Sequence, residues 1–406
     1  MRAWLVLMLA GCGDQANPTR AVVTAFGAHG DGVADDTAAI QAAVDSVGPG
    51  GTILVPGGVY LVQPVGPMGG VQLHSGQTLE LSADATLQAI GNDSPEYGLV
   101  RIYEQTDVTV RGGTLVGERD QHTGTGGEKG HGIGVRSSQR VVIDGVTLHD
   151  FWGDGIYIGP VIPDGPASED VRVSDCVSYN NRRQGLSVTH AARVVIERSS
   201  FYDIHGTQPQ AGVDLEPSYP NHYVVDVQLV DSMMRTSQFG LQVVQQTGMT
   251  ANITVRRNVI ANNSSGGIWV VGTPAPVELA DNVVTGNGVG IWLQGARDNL
   301  VTNNHVANNL QRGIWLEGAS ENTVSGNTLA ANGGADGSYD NIEISGDSDA
   351  NLIGGNSVRG PARYGVVVGT TDCTSNAIDH NDLANAGDAG AILDLGTATA
   401  IGSNTY

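Results

Sequence analysis

The sequence predicts an all-β chain, a right-handed parallel β-helix with a short N-terminal capping α-helix. Three observations carry this. A short glycine-led strand recurs through most of the chain, asparagines recur in phase with it, and only one stretch has helical periodicity. Gly267-Ile268-Trp269-Val270, Gly290-Ile291-Trp292-Leu293 and Gly313-Ile314-Trp315-Leu316 stand 23 residues apart. Gly155-Ile156-Tyr157-Ile158, Gly185-Leu186-Ser187-Val188, Gly212-Val213-Asp214-Leu215 and Gly240-Leu241-Gln242-Val243 precede them, and Gly365-Val366-Val367-Val368 follows. Asn258, Asn282, Asn304, Asn327, Asn356 and Asn381 hold one phase of the repeat, where asparagine tolerates left-handed backbone and can bond along a stack. Short strands, a turn residue and a period of roughly 22–29 residues describe one coil of such a solenoid. No repeat is long enough in the 3.6-residue period for a helical solenoid.

The elements follow in chain order. Arg2 and the apolar run Ala3–Ala10 read as an export signal too short to cross a bilayer, and Leu9-Ala10-Gly11-Cys12 reads as a lipobox whose Cys12 is lipidated. Residues 1–20 are therefore expected to be signal and tether, on an exported bacterial lipoprotein of the outer membrane or cell surface. Residues 21–68 are expected to cap the solenoid. Their helix, residues 36–47, starts at an Asp35 or Asp36 N-cap and carries an Ile40, Ala43, Val44 and Val47 stripe to cover the open coil. Residues 69–406 form the solenoid. Cys176 and Cys373 fall several coils apart, beyond the roughly 7 Å Cα limit of a disulfide, and are expected to be free thiols.

The charge balance excludes one class of function. Twenty Lys and Arg face 42 Asp and Glu, a net charge of -22 that repels nucleic acid. Lys129 is the only lysine.

The chemistry is placed by strand alternation. In each Gly-Ile-Trp-Val unit the aliphatic residues point inward and the third residue points out. This stacks an outward column of Tyr157, Ser187, Asp214, Gln242, Trp269, Trp292 and Trp315, with neighbours about 4.8 Å apart. The Trp residues are expected to offer platforms to sugar rings or to meet a loop or second subunit. Polar irregularities concentrate before residue 224, at 117–131, 179–185 and 202–217. Arg182, Arg183, His205, Asp214 and Glu216 are expected to share a cleft with Asp154 and Tyr157, and Gln184 and Lys129 to contact substrate. Asp214 and Glu216 point the same way, their Cα atoms about 6.5–7 Å apart. That suits the carboxyl pair of an inverting glycosidase, a calcium site for an acidic sugar, or carboxylates that position a uronate while its C5 proton is removed. Calcium is a candidate cofactor, and no organic cofactor is expected. The Asp-rich run 336–349 is a weaker calcium candidate.

Phe26-Gly27-Ala28, Gly30-Asp31-Gly32, Asp35 through Ala43, Gly50-Gly51-Thr52, Val55-Pro56 and Tyr60 resemble the N-terminal signature of the pectate lyase-like superfamily. That group includes rhamnogalacturonase-like proteins, phage tailspikes and mannuronan C5-epimerases. The repeats from 155 to 330 are most similar to the epimerase catalytic module. Its Tyr-Gly-Phe-Asp-Pro-His strand matches Ala211-Gly212-Val213-Asp214-Leu215-Glu216, with Asp214 at the catalytic Asp, Glu216 in place of the His and Ala211 in place of the Tyr. The resemblance implies that His205, Tyr157 or Tyr202 supplies the missing acid/base group. It also implies that Arg182 or Arg183 neutralises the uronate, or that Arg183 acts as the base, as in pectate lyases. The Arg-x-Lys element of polygalacturonases cannot occur away from Lys129. The expected function is a lyase or C5-epimerase on a uronic-acid polysaccharide. The alternatives are an inverting hydrolase using Asp214 and Glu216, and a non-catalytic glycan-binding surface protein. A monomer or a homotrimer is expected.

Overall fold

The computed structural model describes residues 19–272, 276–334 and 337–406. The signal segment and Cys12 lie outside the described residues. Three parallel sheets wind into one solenoid. The first has 15 strands from Arg20–Val22 to Ala400–Ile401, the second 13 from Asp31–Asp35 to Ser357–Arg359, and the third 13 from Val71–Gln72 to Gly390–Asp394. Each coil takes one strand from each sheet in turn, as Gln139–Asp144, Thr147–His149 and Ile156–Gly159 do. The inward residues of the third sheet, among them Ile156, Leu186, Val213, Leu241 and Ile268, are fully buried. Period-2 alternation makes this core: one slip of register would turn each aliphatic residue out to water.

The turns need polar groups that the strands cannot satisfy, and asparagine ladders supply them. Asn304 Nδ2 donates to Asn327 Oδ1 at 3.0 Å and to the Leu279 carbonyl at 2.8 Å. The same pattern joins Asn258, Asn282, Asn304, Asn327, Asn356 and Asn381, as expected. Two further ladders run through Asn263, Asn287, Asn309 and Asn332, and through Asn299, Asn322, Asn351 and Asn376. Towards the N-terminus the first ladder changes to Ser232, Ser199 and Cys176. Cys176 and Cys373 are both free and buried, and burial pushes the Cys176 thiol up to about 12.

The capping helix, α1, spans Thr37–Ser46. The two adjacent acids divide the work at its start. Asp35 Oδ1 accepts the Thr37 N–H at 3.0 Å, whereas buried Asp36 accepts the backbone N–H groups of His29 and Gly30. Gln41 exchanges two hydrogen bonds with the backbone of Gln72, closing the free edge of the third sheet. Gln77 donates to the carbonyls of Val44 and Val47, which the helix end leaves open. The cap is continuous with the solenoid: Thr52–Val55 and Gly58–Val62, inside the expected cap region, pair in register with Thr78–Leu81 and Ala85–Ala89.

Candidate active site

The pairing register confirms the outward column residue by residue. Tyr157 aligns with Ser187, Ser187 with Asp214, Asp214 with Gln242, and Gln242 with Trp269. Against the first half of this column lies a groove of about 470 Å³. Its floor carries His131, Arg136, Tyr157, Arg183 and Thr189, and Glu96, Glu128 and Lys129 stand at its side. Two loops wall it, 160–163 and 218–222. His222 Nε2 donates to the Pro163 carbonyl at 2.6 Å and ties the loops together. Asp214 and Glu216 stand one strand beyond the Arg183 and Thr189 margin.

Asp214 is 2 % exposed. Gln184 Nε2 donates to its Oδ2 at 2.9 Å, and its Oδ1 has no protein partner. Burial, reinforced by the Glu216 carboxylate and opposed by Arg183, pushes its acid up to about 8. Burial also raises Glu216, and Arg183 again works the other way. Arg183 lies 3.4 Å from Asp154 and 3.5 Å from Glu128. Burial opposes its charge, but the carboxylates of Asp154, Asp214 and Glu128 prevail and hold it more firmly protonated than a free arginine. Tyr157 is kept a neutral phenol by burial, and its hydroxyl shares a 2.8 Å hydrogen bond with Thr189 Oγ1.

His131 was not singled out from the sequence. It stacks on Tyr157 at 4.8 Å, and the Asp154 N–H donates to its Nδ1 at 3.3 Å. Burial, followed by the charges of Arg136, Arg183 and Lys129, holds it far below the usual histidine range. The imidazole is therefore neutral. Its Nδ1 is the acceptor, so the 3.6 Å approach to Asp154 Oδ2 is not an ion pair, and Nε2 is left buried without a partner. Its sequence signal is its place directly before Gly132-Ile133-Gly134-Val135, one more glycine-led unit, on the strand Lys129–Arg136.

Several expected placements are corrected. Arg182, in the bend before the strand Gln184–Val188, turns away from Asp214. Its guanidinium lies 3.8 Å over the Trp152 ring and donates to the Gly127 carbonyl. His205 follows the second-sheet strand Ser200–Tyr202, bonds to the Asp203 carbonyl and faces a separate depression with Gln210 and Gln238. Gln184 and Asp154 are fully buried and engaged within the protein. Gln184 holds Asp214, while Asp154 holds Arg183 and accepts the Ser187 hydroxyl.

The Trp column packs on itself. Trp269 stacks on Trp292 at 5.3 Å and Trp292 on Trp315 at 4.8 Å, with Phe239 at one end and the Arg312 guanidinium over Trp315 at the other. The ring faces are used by one another and only edges meet water. Lys129 is exposed and lines the groove. Among the described residues no group of three or more His, Cys, Asp or Glu is placed to hold a metal ion. In the 336–349 run Asp340 binds Arg363 and Asp349 binds Thr374, while Asp336 lies outside the described residues.

Comparison with known proteins agrees with the fold. The family model "Rhamnogalacturonase A/epimerase, pectate lyase-like" matches residues 20–79, and "Right handed beta helix region" matches 69–226. "Periplasmic copper-binding protein (NosD)" matches in two overlapping frames, 165–345 and 209–391. The chain is 29% identical to YclG of Bacillus subtilis over 214 residues, covering 47% of this chain and 37% of that protein. It is 31% identical to mannuronan C5-epimerase AlgE4 of Azotobacter vinelandii over 198 residues, covering 45% and 34%. The chain thus spans about a third of the length of these relatives. Among solved structures, the AlgE4 A-module superposes with a TM-score of 0.69 at 21% identity, over 94% of this chain and 99% of that one. The Streptococcus pneumoniae adhesin PfbA superposes with a TM-score of 0.53 at 16% identity, over 96% and 91%.

Proposed function

Because this chain belongs to the pectate lyase-like superfamily of right-handed parallel β-helix proteins, we propose that it is an enzyme that removes the C5 proton of a uronic-acid unit in a polysaccharide, as a lyase or an epimerase. One observation carries the reading: a buried, proton-retaining Asp214 beside a less buried Glu216, with the fixed positive charge of Arg183 next to both. A C5 proton becomes removable when the adjacent carboxylate is neutralised. Neutral Asp214 can donate a hydrogen bond to that carboxylate, and Arg183 supplies charge. Glu216, the more accessible acid, takes the proton. Tyr157, a neutral phenol in the same groove, can return a proton to the sugar or to the leaving oxygen. Similarity to the AlgE4 epimerase supports this reading.

A hydrolase remains the second reading, because an elevated Asp214 acid beside Glu216 is also the arrangement of a general acid and a base. Similarity to an exo-poly-α-D-galacturonosidase of Dickeya chrysanthemi, 25% identical over 252 residues, favours it. Glycan binding without turnover is the third. Export and lipidation at Cys12 belong to the same proposal, since the polymer would be met outside the cytoplasm. Palmitate labelling abolished by Cys12→Ala would test that part.

Residues 19–406 should be offered alginate, polygalacturonate and other polyuronates, with and without added calcium. Ultraviolet absorbance of unsaturated uronate, reducing ends and the stereochemistry at C5 would be followed together. Unsaturated ends or inverted C5 centres that Glu216→Gln lacks are the expected result. Reducing ends without absorbance would establish the hydrolase instead, and silence in all three would leave a binding protein.

A further inference from the structure

Four strands N-terminal to Asp214, the same outward column begins again with a different chemistry. Arg101 aligns with Gly134, which aligns with Tyr157, then Ser187 and Asp214. At about 4.8 Å per strand, Arg101 lies roughly 19 Å from Asp214 along the solenoid axis. Arg101 is only 5 % exposed, yet among the described residues it forms no ion pair with a carboxylate. Its Nε is buried without a partner, and its Nη1 reaches only the Met68 sulfur at 3.7 Å. A buried guanidinium normally has an anion, since an uncompensated charge is costly to hold out of water.

The guanidinium borders a cavity of about 490 Å³ between the cap and the third sheet. Thr37 and Gln63 line it with polar groups, and Val65 and Met68 with apolar ones. Asp35 also borders it, but its Oδ1 is engaged by the N–H and hydroxyl of Thr37. The arginine's place is built: a Cβ at position 98 would stand 2.9 Å from Arg101 Cγ, so glycine there keeps the space open. Tyr103 flanks the guanidinium, its ring centre 5.6 Å away.

We propose that Arg101 is the anion-binding end of the polysaccharide groove, taking the carboxylate of an acidic sugar several units from the one held at Asp214. The proposal rests on the reading of the groove as a polyuronate site and deepens it. The missing counter-ion of Arg101 is then the substrate's own charge, and the mixed lining beside it suits a sugar ring. Met68, 74 % exposed and held only by a weak sulfur contact, is displaced when the chain enters.

Equilibrium binding separates this proposal from the catalytic reading. Calorimetry with polyuronate oligomers of increasing length, from dimer to octamer, would compare the wild type with Arg101→Met and Glu216→Gln. Glu216→Gln stops turnover, so its titrations are free of product. The octamer should bind the wild type much more tightly than the dimer, and in Arg101→Met that advantage should shrink about tenfold or more, the loss expected for a charge-assisted contact. Arg101→Met should also melt at a higher temperature than the wild type, because it removes an uncompensated buried charge. That result would show the variant to be folded.

An unchanged octamer advantage in a folded Arg101→Met protein would overturn the proposal while leaving the catalytic reading intact. A lower melting temperature for the variant would also count against it, since Arg101 would then serve packing. If no oligomer binds the wild type, the polyuronate reading itself fails. Sulfate binding lost in Arg101→Met would then mark a site for free anions and overturn the sugar assignment.

Discussion

Asp214 retains its proton in the folded protein up to about pH 8, whereas an unfolded chain releases it near pH 4. Between those limits the native state binds the extra proton, so stability falls as pH rises through the window and levels off above it. Glu216 is shifted the same way and adds to the slope. Asp214→Asn should therefore flatten the pH dependence of the unfolding free energy by up to about 1.4 kcal/mol per pH unit, and should gain on the wild type most on the alkaline side. Urea unfolding across the window checks this, and an unaltered slope would mean that Asp214 ionises freely.

The same substitution separates the two chemistries. A neutral hydrogen-bond donor is replaced tolerably by asparagine, so C5 abstraction should be weakened but measurable, with its alkaline limb removed. A general acid has no substitute in asparagine, so a hydrolase should lose its turnover. Asp214 and Glu216 were legible because strand alternation and the glycine phase fix which way a residue points. The separation of Arg182 from Arg183 does not follow from that alternation, because both sit in the bend before the strand Gln184–Val188. His205 was beyond that logic, because it depends on the path of an insertion, and the walls at 160–163 and 218–222 close through a contact, His222 to Pro163, that no periodicity encodes. His131 was within the reach of that logic, since it lies in the strand Lys129–Arg136 directly before the glycine-led unit Gly132-Ile133-Gly134-Val135.

At the scale of the coil, two stacks of like side chains do different work. Asn304 satisfies the Leu279 carbonyl and gives its own oxygen to two donors, the N–H and side-chain amide of Asn282. Asn304→Ala would strand these buried groups, each worth about 1–3 kcal/mol when left unpaired, and should lower stability by roughly 2–4 kcal/mol. Denaturant unfolding measures it, and a loss no greater than that of an exposed substitution would show that water replaces the amide. The asparagine phase was visible in sequence from residue 258 onward, but its continuation through Ser232, Ser199 and Cys176 was hidden because a hydroxyl or thiol takes over the turn.

The Trp column was placed correctly, and its rings pack on one another. Rings on neighbouring strands about 4.8 Å apart lie close enough to cover one another, which leaves a sugar no face. Trp292 has a ring on both sides, and its Nε1 donates to Glu317 at 3.2 Å. Trp292→Ala should cost about 2–3 kcal/mol in stability, less than a fully buried Trp, and leave glycan affinity as it was. A weakened glycan affinity in a folded variant would return the column to the binding surface.

Over the whole molecule, the two ends of the solenoid are finished differently, and this has a dynamic consequence. At the N-terminal end α1 covers the coil, Gln41 closes the edge of the third sheet, and Ile40, Ala43 and Val44 are fully buried. At the other end the strand Gly390–Asp394 is half-buried at best, Ala400–Ile401 is exposed, and Leu395, Ile401 and Tyr406 present apolar surface to water. A solenoid is stabilised coil by coil through its neighbours, so in residues 19–406 taken alone the last coil has half the interface of an inner one and opens at lower free energy. Amide exchange should therefore be fastest in Gly390–Asp394 and Ala400–Ile401 and slow progressively inward. It should stay slow through the Ala211–Leu215 strand and on to the first coil, without a matching rise near Arg20–Val22. Equal exchange at both ends would mean that α1 contributes no more than a frayed coil does. The predicted asymmetry sets the groove, and the Asp214 and Glu216 pair beside it, in the half of the solenoid that opens least. Its buried charges then keep the low-dielectric surroundings that hold Asp214 protonated and Arg183 charged.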